Sequence, residues 1–191
     1  MILASQNAHK VEELGQILAG VDLQPLPDGV VLPPEDGLTF SANALIKARA
    51  ARSATGEVVI ADDSGIEVEA LGGRPGVRSA RYAGESASDG ENLAKALADL
   101  AETGGDPVAR YVCVIAYIDE EGEEHLFEGF CGGRLIQEPR GDGGFGYDPA
   151  FIPDDTGPDD DRTMAEVSPE EKHAISHRGR AARKLALHLG I

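Results

Sequence analysis

The chain has 191 residues, 41% of them hydrophobic and 27% charged, enough for a buried core in one domain or in two lobes that share a sheet. Its formal net charge of -17 argues against non-specific nucleic-acid binding, which needs a basic surface to displace counterions. The same field repels small anions, so any phosphate site has to gather its own cations, from Lys, Arg or a divalent metal, in one local cluster.

No apolar run approaches the roughly 20 residues of a bilayer span, and Met1-Ile2-Leu3-Ala4 leads straight into Ser5-Gln6-Asn7 without a signal-type core. A cytoplasmic protein with no membrane partner is expected. Cys113 and Cys131 both lie in β-like runs without metal-binding spacing, which favours two reduced core thiols over a disulfide or a metal site.

Met1 to Ala4 reads as a short strand and Val11 to Leu18 as an amphipathic helix, which makes Ser5 to Lys10 a strand-to-helix turn. Free N–H groups at a helix start, polar side chains from Ser5 and Asn7, and the Lys10 ammonium together form an anion cradle. The Walker A spacing is absent, and Ser, Asn and Lys at such a turn also serve simply as caps and solvated ends. Val21 to Gly37, with four prolines, reads as an extended connection. A helix capped by Thr39 or Ser41 then runs through Ala54 to Gly56. Asn43 and Lys47, four apart, share one of its faces, where a solvent-facing lysine is the ordinary outcome.

Val58 to Ala61 is a continuous apolar strand, and Ile66 to Leu71 alternates like a half-buried one. Between them Asp62 and Asp63 end a hydrophobic strand, where a carboxylate is costly unless it is paired or bound to a cation. Adjacent strand residues face opposite ways, so one of the two is expected to face a site; a turn or capping role beside Ser64-Gly65 is the plainer reading. Ser88 to Glu91 is a capping box for a helix buried through Leu93, Leu97 and Leu100. Val108 to Ile118 and His125 to Ile136 read as a hairpin, with Gly129, Gly132 and Gly133 marking a bulge or bend.

The glycine loop Gly141 to Gly146 leads into Phe145-Gly146-Tyr147-Asp148, an aromatic face beside a carboxylate that suits a nucleobase, though a loop phenylalanine tucked into the core is equally ordinary. Pro153 to Arg162 carries five aspartates and reads as a mobile solvated loop. Ser168 to Glu171 caps the last helical stretch. There Lys172, His177, Arg178 and Arg180 load a helix start with positive charge against its macrodipole. A bound anion or electron-rich acceptor would compensate; an exposed basic helix end is the alternative. With neither repeats nor an internal linker, residues 1–191 read as a single α/β domain.

The blocks "ILASQNAHKVEEL", "GLTFSANALIKARAA", "ADDSGIEVEALGGRPGVRSARYAGE", "GGFGYDPAF" and "AEVSPEEKHAISHRGRA" follow one another over nearly the whole chain. In that order they resemble the inosine/xanthosine triphosphate pyrophosphatases, also called non-canonical purine NTP pyrophosphatases. The resemblance implies a two-lobed α/β fold, with a long twisted mixed sheet flanked by helices and the active site in a cleft between lobes. It also implies a homodimer and Mg²⁺-dependent hydrolysis of ITP, dITP or XTP to the monophosphate and pyrophosphate. By motif position, Ser5, Gln6, Asn7, Ala8, His9 and Lys10 would hold the phosphates. Lys47 would join them through the charge of the leaving group. Asp63 would be the catalytic base and a metal ligand with Glu35, and Ser64 would contact substrate. Phe145, Gly146, Tyr147, Asp148, Lys172, His177 and Arg178 would form the base-side pocket. The chain departs from the family pattern at Ala42, where a glutamate is common, and in the acidic stretch 153–162. A nucleotide sensor without turnover and a pyrophosphatase for other modified nucleotides are the competing expectations.

Overall fold

The computed structural model describes residues 1–191 and has an α/β architecture, a six-stranded sheet with helices. The strands are β1 (Ile2–Leu3), β2 (Gln24–Pro25), β3 (Val59–Val68), β4 (Val108–Ile118), β5 (Glu124–Leu135) and β6 (Phe151–Pro153), in the order β2-β1-β3-β4-β5-β6. The sheet is mixed. β1 runs parallel to β2 and β3, with Ile2 opposite Gln24 and Val59, whereas β6 runs antiparallel to β5, with Leu135 opposite Phe151. The helices are α1 (Ala8–Ile17), α2 (Phe40–Thr55), α3 (Asp89–Thr103), α4 (Pro169–Ile175) and α5 (His177–Leu189). None is long and apolar enough to cross a membrane.

The chain divides into two compact units. The first comprises Met1–Ser64, Cys113–Gly129 and His177–Ile191. Leu3, Leu14, Leu18, Ile60, Ile115 and Leu185 are among its core residues, and α1 packs on α5. Asn7 caps α1 by accepting from the Lys10 N–H, and Thr39 caps α2 by accepting from the Ala42 N–H. Gly56, at a φ of 73° that costs a glycine nothing, closes α2. Ala44, Ala48 and Ala51 form the fully buried stripe of α2, whose methyl-sized side chains let the helix lie close against its neighbours.

The second unit comprises Gly65–Val112 and Phe130–Ser176. Its core gathers Ile66, Val68, Leu93, Leu97, Leu100, Tyr111, Phe151 and Met164, with the Tyr111 and Phe151 rings edge-on at 4.7 Å. Ser88 and Glu91 form the expected capping box of α3.

Several details correct the sequence reading. β3 is one unbroken strand, so Asp62 and Asp63 stand in its interior, and the alternation at its end stops at Val68, where Glu69–Leu71 turns into a 3₁₀ segment. The glycines of β5 mark close approaches. A Cβ at Gly129 would strike the His177 carbonyl and the Ala181 N–H of α5, and one at Gly133 would strike the Ile152 carbonyl of β6. The acidic stretch is partly built into the structure: Pro153 ends β6, Asp154–Thr156 forms a 3₁₀ turn, Asp160 pairs with Arg162, and Asp161 with Arg140. The last helical stretch is two helices, broken at Ser176, whose ψ of 154° is extended. Lys172 therefore lies in the last turn of α4, where a cation suits the macrodipole, and His177, Arg178 and Arg180 are the ones that open a helix.

Candidate active site

In the first unit β3 delivers two carboxylates from a hydrophobic strand, and three cations from three other segments meet them. Asp62 is fully buried, with the Lys10 ammonium 3.2 Å and the Arg178 Nε 3.6 Å from its Oδ2. Neither of its oxygens accepts a hydrogen bond of ordinary geometry, so the contacts are ionic. Burial alone would raise its pKa, but Lys10, then Arg178 and Lys47, outweigh that and hold the group ionised well below the usual carboxylate range.

Asp63 is treated differently. Its Oδ2 accepts from Asn43 Nδ2 at 3.0 Å, and its Oδ1 from the Ser64 N–H at 2.9 Å. Here burial prevails over Lys10 and Lys47, with Glu35 adding repulsion, and the pKa lies above the ordinary value. Asp63 is thus an oriented carboxylate with raised proton affinity, the property a general base requires.

Lys47 is 7% exposed, contrary to the solvent-facing position that is ordinary for a lysine, and its ammonium lies 2.5 Å from Glu35 Oε1. Burial lowers its pKa, but Asp62, Glu35 and Asp63 reverse that, so it stays protonated. Arg178 is 1% exposed and clasped on several edges: Nη1 donates to Glu13, Nη2 donates to Ser64 Oγ at 2.9 Å, and Nε faces Asp62. Lys10 and Asn7 stand at the start of α1, where the Asn7 N–H donates to Ser5 Oγ. Gln6, Asn7, Ala8 and His9 are exposed there, beside the helix end that attracts anions. Lys10, Lys47, Asp63, Ser64, Arg178 and Glu35 are therefore brought together, as the sequence reading expects. Glu13, Asn43 and Asp62 are the members to which that reading gives no role.

Three cations here face four carboxylates, namely Glu13, Glu35, Asp62 and Asp63. Their charges are already spoken for, so a polyphosphate needs further positive charge to enter. No three His, Cys, Asp or Glu side chains gather into a cage for a metal ion. Mg²⁺ does not need one, since it is commonly held by one or two carboxylates, water and phosphate oxygens, and Asp63 and Glu35 fit that donor set.

The second unit holds its own polar cluster. Asp148, 3% exposed, accepts from Tyr111 Oη at 2.9 Å, from the Phe145 N–H at 2.9 Å and from Lys172 Nζ at 2.8 Å. Lys172 also lies over the Phe145 ring, 5.0 Å from its centroid. Gly144, at a φ of 67°, leaves room for the Asp148 carboxylate. The Gly146 N–H donates to Asp89, and buried Tyr147 donates its hydroxyl to the Ser79 carbonyl, which makes Tyr147 a core residue. Phe145, Asp148 and Lys172 thus form one cluster, to which Tyr111 belongs without any sequence signal. His177 stands in the first turn of α5, in the first unit.

The Ham1 family profile matches residues 1–188. The chain is 46% identical to the dITP/XTP pyrophosphatase of Mycobacterium bovis, covering 95% of this chain and 90% of that protein. It is 45% identical to the dITP/XTP pyrophosphatase of Geobacillus kaustophilus, covering 97% and 91%. Among solved structures, a HAM1 protein from Coxiella burnetii superposes with a TM-score of 0.88 at 41% identity, over 99% of this chain and 97% of that one. Full-length agreement in both sequence and fold, with the buried carboxylate and cation cluster on the stretch of β3 that the motif marks, places this chain in the Ham1 family.

Proposed function

We infer that this protein hydrolyses non-canonical purine nucleoside triphosphates, ITP, dITP or XTP, to the monophosphate and pyrophosphate. The observation that carries the reading is an oriented, proton-attracting Asp63 beside the ionised Asp62 on β3, with Lys10, Lys47 and Arg178 brought to these two carboxylates from three helices. The names of the relatives supply the substrate class.

In the mechanism that fits these residues, water attacks the α-phosphorus in line with the bridging oxygen of the leaving group. Asp63 takes the water proton as the new P–O bond forms, and the old P–O bond breaks to release pyrophosphate. Asn43 and the Ser64 N–H fix the direction of the Asp63 carboxylate, which restricts the geometry from which it can accept that proton. Lys10 and Lys47 neutralise charge developing on the leaving pyrophosphate, with the N-terminal turn Ser5 to Lys10 adding backbone donors. When bound by Asp63 and Glu35, Mg²⁺ would supply the positive charge that this cluster of three cations and four carboxylates lacks.

His177 and Arg178 are proposed to donate to the oxygen at C6 of the purine. Adenine, with an amino group there, would leave such donors unpaired, and sites of this kind discriminate by up to roughly 10⁴ or more. Asp148, already accepting three hydrogen bonds, holds Lys172 in place. A cytoplasmic homodimer is proposed as well. Its support is the absence of a disulfide at Cys113 and Cys131, and Val31 and Leu38, apolar yet almost wholly exposed.

The test is a panel of dITP, ITP, XTP, GTP, ATP and dUTP with Mg²⁺, with products resolved as pyrophosphate or orthophosphate. Pyrophosphate from dITP, ITP and XTP, far faster than from ATP, is expected. Orthophosphate as the only primary product, or equal rates across the panel, would overturn the reading.

A further inference from the structure

Two aspartates adjacent in one strand face opposite ways, and only Asp63 carries the hydrogen bonds that orient a base. Asp62 has no solvent exposure, and both of its near neighbours, Lys10 at 3.2 Å and Arg178 at 3.6 Å, are cations. Those cations come from α1 and α5, two helices distant in the chain and packed against each other. Arg178 is also held by Glu13 and Ser64, so its guanidinium has little freedom, while Lys10 ends a flexible four-carbon stem. Nothing else on this strand supplies a counter-charge to both. The thiol of neighbouring Cys113, pushed up to about 12 by burial and by Asp62, stays neutral.

We propose that Asp62 is a positioning residue of the site, the buried counter-ion that draws the Lys10 ammonium into the place from which it meets the phosphates and that fixes the Arg178 guanidinium beside it. It exchanges no proton with substrate and touches none of the reacting atoms; its effect passes through Lys10 and Arg178. Its work appears in binding, because an unanchored Lys10 still carries its charge but must be ordered anew each time a polyphosphate arrives, and two cations left without their shared anion repel one another. This assignment rests on the triphosphate reading above, and binding of inorganic pyrophosphate, which needs no turnover, tests it separately.

The experiment compares Asp62→Asn with the parent protein, after circular dichroism has shown cooperative folding, by dITP kinetics and by calorimetry with inorganic pyrophosphate and Mg²⁺. KM for dITP and Kd for pyrophosphate are expected to rise together by about tenfold or more, with kcat within a few-fold. Adding Lys10→Met to Asp62→Asn should cost much less than Lys10→Met does alone, since the anchor is already gone. Unchanged KM and Kd, or a fall in kcat of about 10² at constant KM, would overturn the proposal, the second outcome making Asp62 a base. If Asp62→Asn does not fold, Asp62→Glu keeps the charge but displaces it by one methylene. The same loss confined to KM and Kd is expected of it, and unchanged values would overturn the assignment. A parent protein that binds pyrophosphate but releases none from dITP would defeat the hydrolase reading and leave the anchoring of Lys10 to be judged on Kd alone.

Discussion

At the level of single residues, the pair Asp62–Asp63 shows how neighbours in sequence acquire different chemistry from the strand they share. Asp63 is pushed toward protonation by burial and oriented by Asn43, whereas Asp62 is kept ionised by Lys10 and Arg178. Asp63→Asn is therefore expected to lower kcat by about 10²–10⁴ while still binding nucleotide, as measured by pyrophosphate release and by calorimetry; near-normal turnover would remove Asp63 as the base. In the second unit, Lys172→Met strands the buried Asp148 carboxylate without its cation. Urea unfolding should show a loss of about 3–5 kcal/mol, partly restored in Lys172→Met/Asp148→Asn. The sequence makes the charged residues of β3 conspicuous, because carboxylates inside an apolar run demand compensation. It does not make Glu13 conspicuous, since Glu12 and Glu13 are both ordinary on a helix. Nor does it mark Arg178 as buried, because only the packing of α5 against α1 turns a basic helix start inward.

Among the elements, those with local signals are legible: the capping boxes at Ser88 and Ser168, the glycine end of α2 and the hairpin of β4 and β5 all follow from short-range chemistry. The two-residue strands β1 and β2 and the break at Ser176 depend on tertiary pairing and leave weaker traces. The β5 glycines are legible as special positions, but whether they bend a strand or admit a neighbour is decided by what lies opposite. Gly129 admits the first turn of α5, the turn that carries His177 and Arg178. Gly129→Ala should thus destabilise the protein by about 1–3 kcal/mol or more in thermal unfolding, because the obstacle is backbone and cannot rotate away. It should also weaken dITP binding, by moving Arg178 against Asp62 and Glu13. Ser88→Ala, which removes one cap in the second unit, should cost about 0.5–2 kcal/mol and leave KM unchanged, and the contrast separates displacement of α5 from general loss of stability.

Over the whole molecule, 34 acidic side chains face 17 lysines and arginines, so even complete pairing would leave half the carboxylates without a cation. Surface pairs such as Arg49–Glu124 and Arg110–Glu67 are worth little individually and weaken in salt, whereas the excess of like charge acts over the full surface. The two effects of salt oppose each other, and the uncompensated half decides the sign. Screening shortens the reach of that repulsion from about 30 Å at 0.01 M to about 10 Å at 0.1 M, a smaller distance than the span of a domain this size. The thermal midpoint is accordingly expected to rise between about 0.01 M and 0.3 M NaCl, by about 2–4 °C for each kcal/mol of repulsion removed. KCl should reproduce the shift, since screening depends on ionic strength and not on the identity of a monovalent ion. The buried Asp62–Lys10–Arg178 cluster lies out of reach of that screening, so the shift should persist undiminished in Lys10→Met. A midpoint that falls with salt would mean that the paired minority of charges, and not the unpaired majority, governs the stability of this protein.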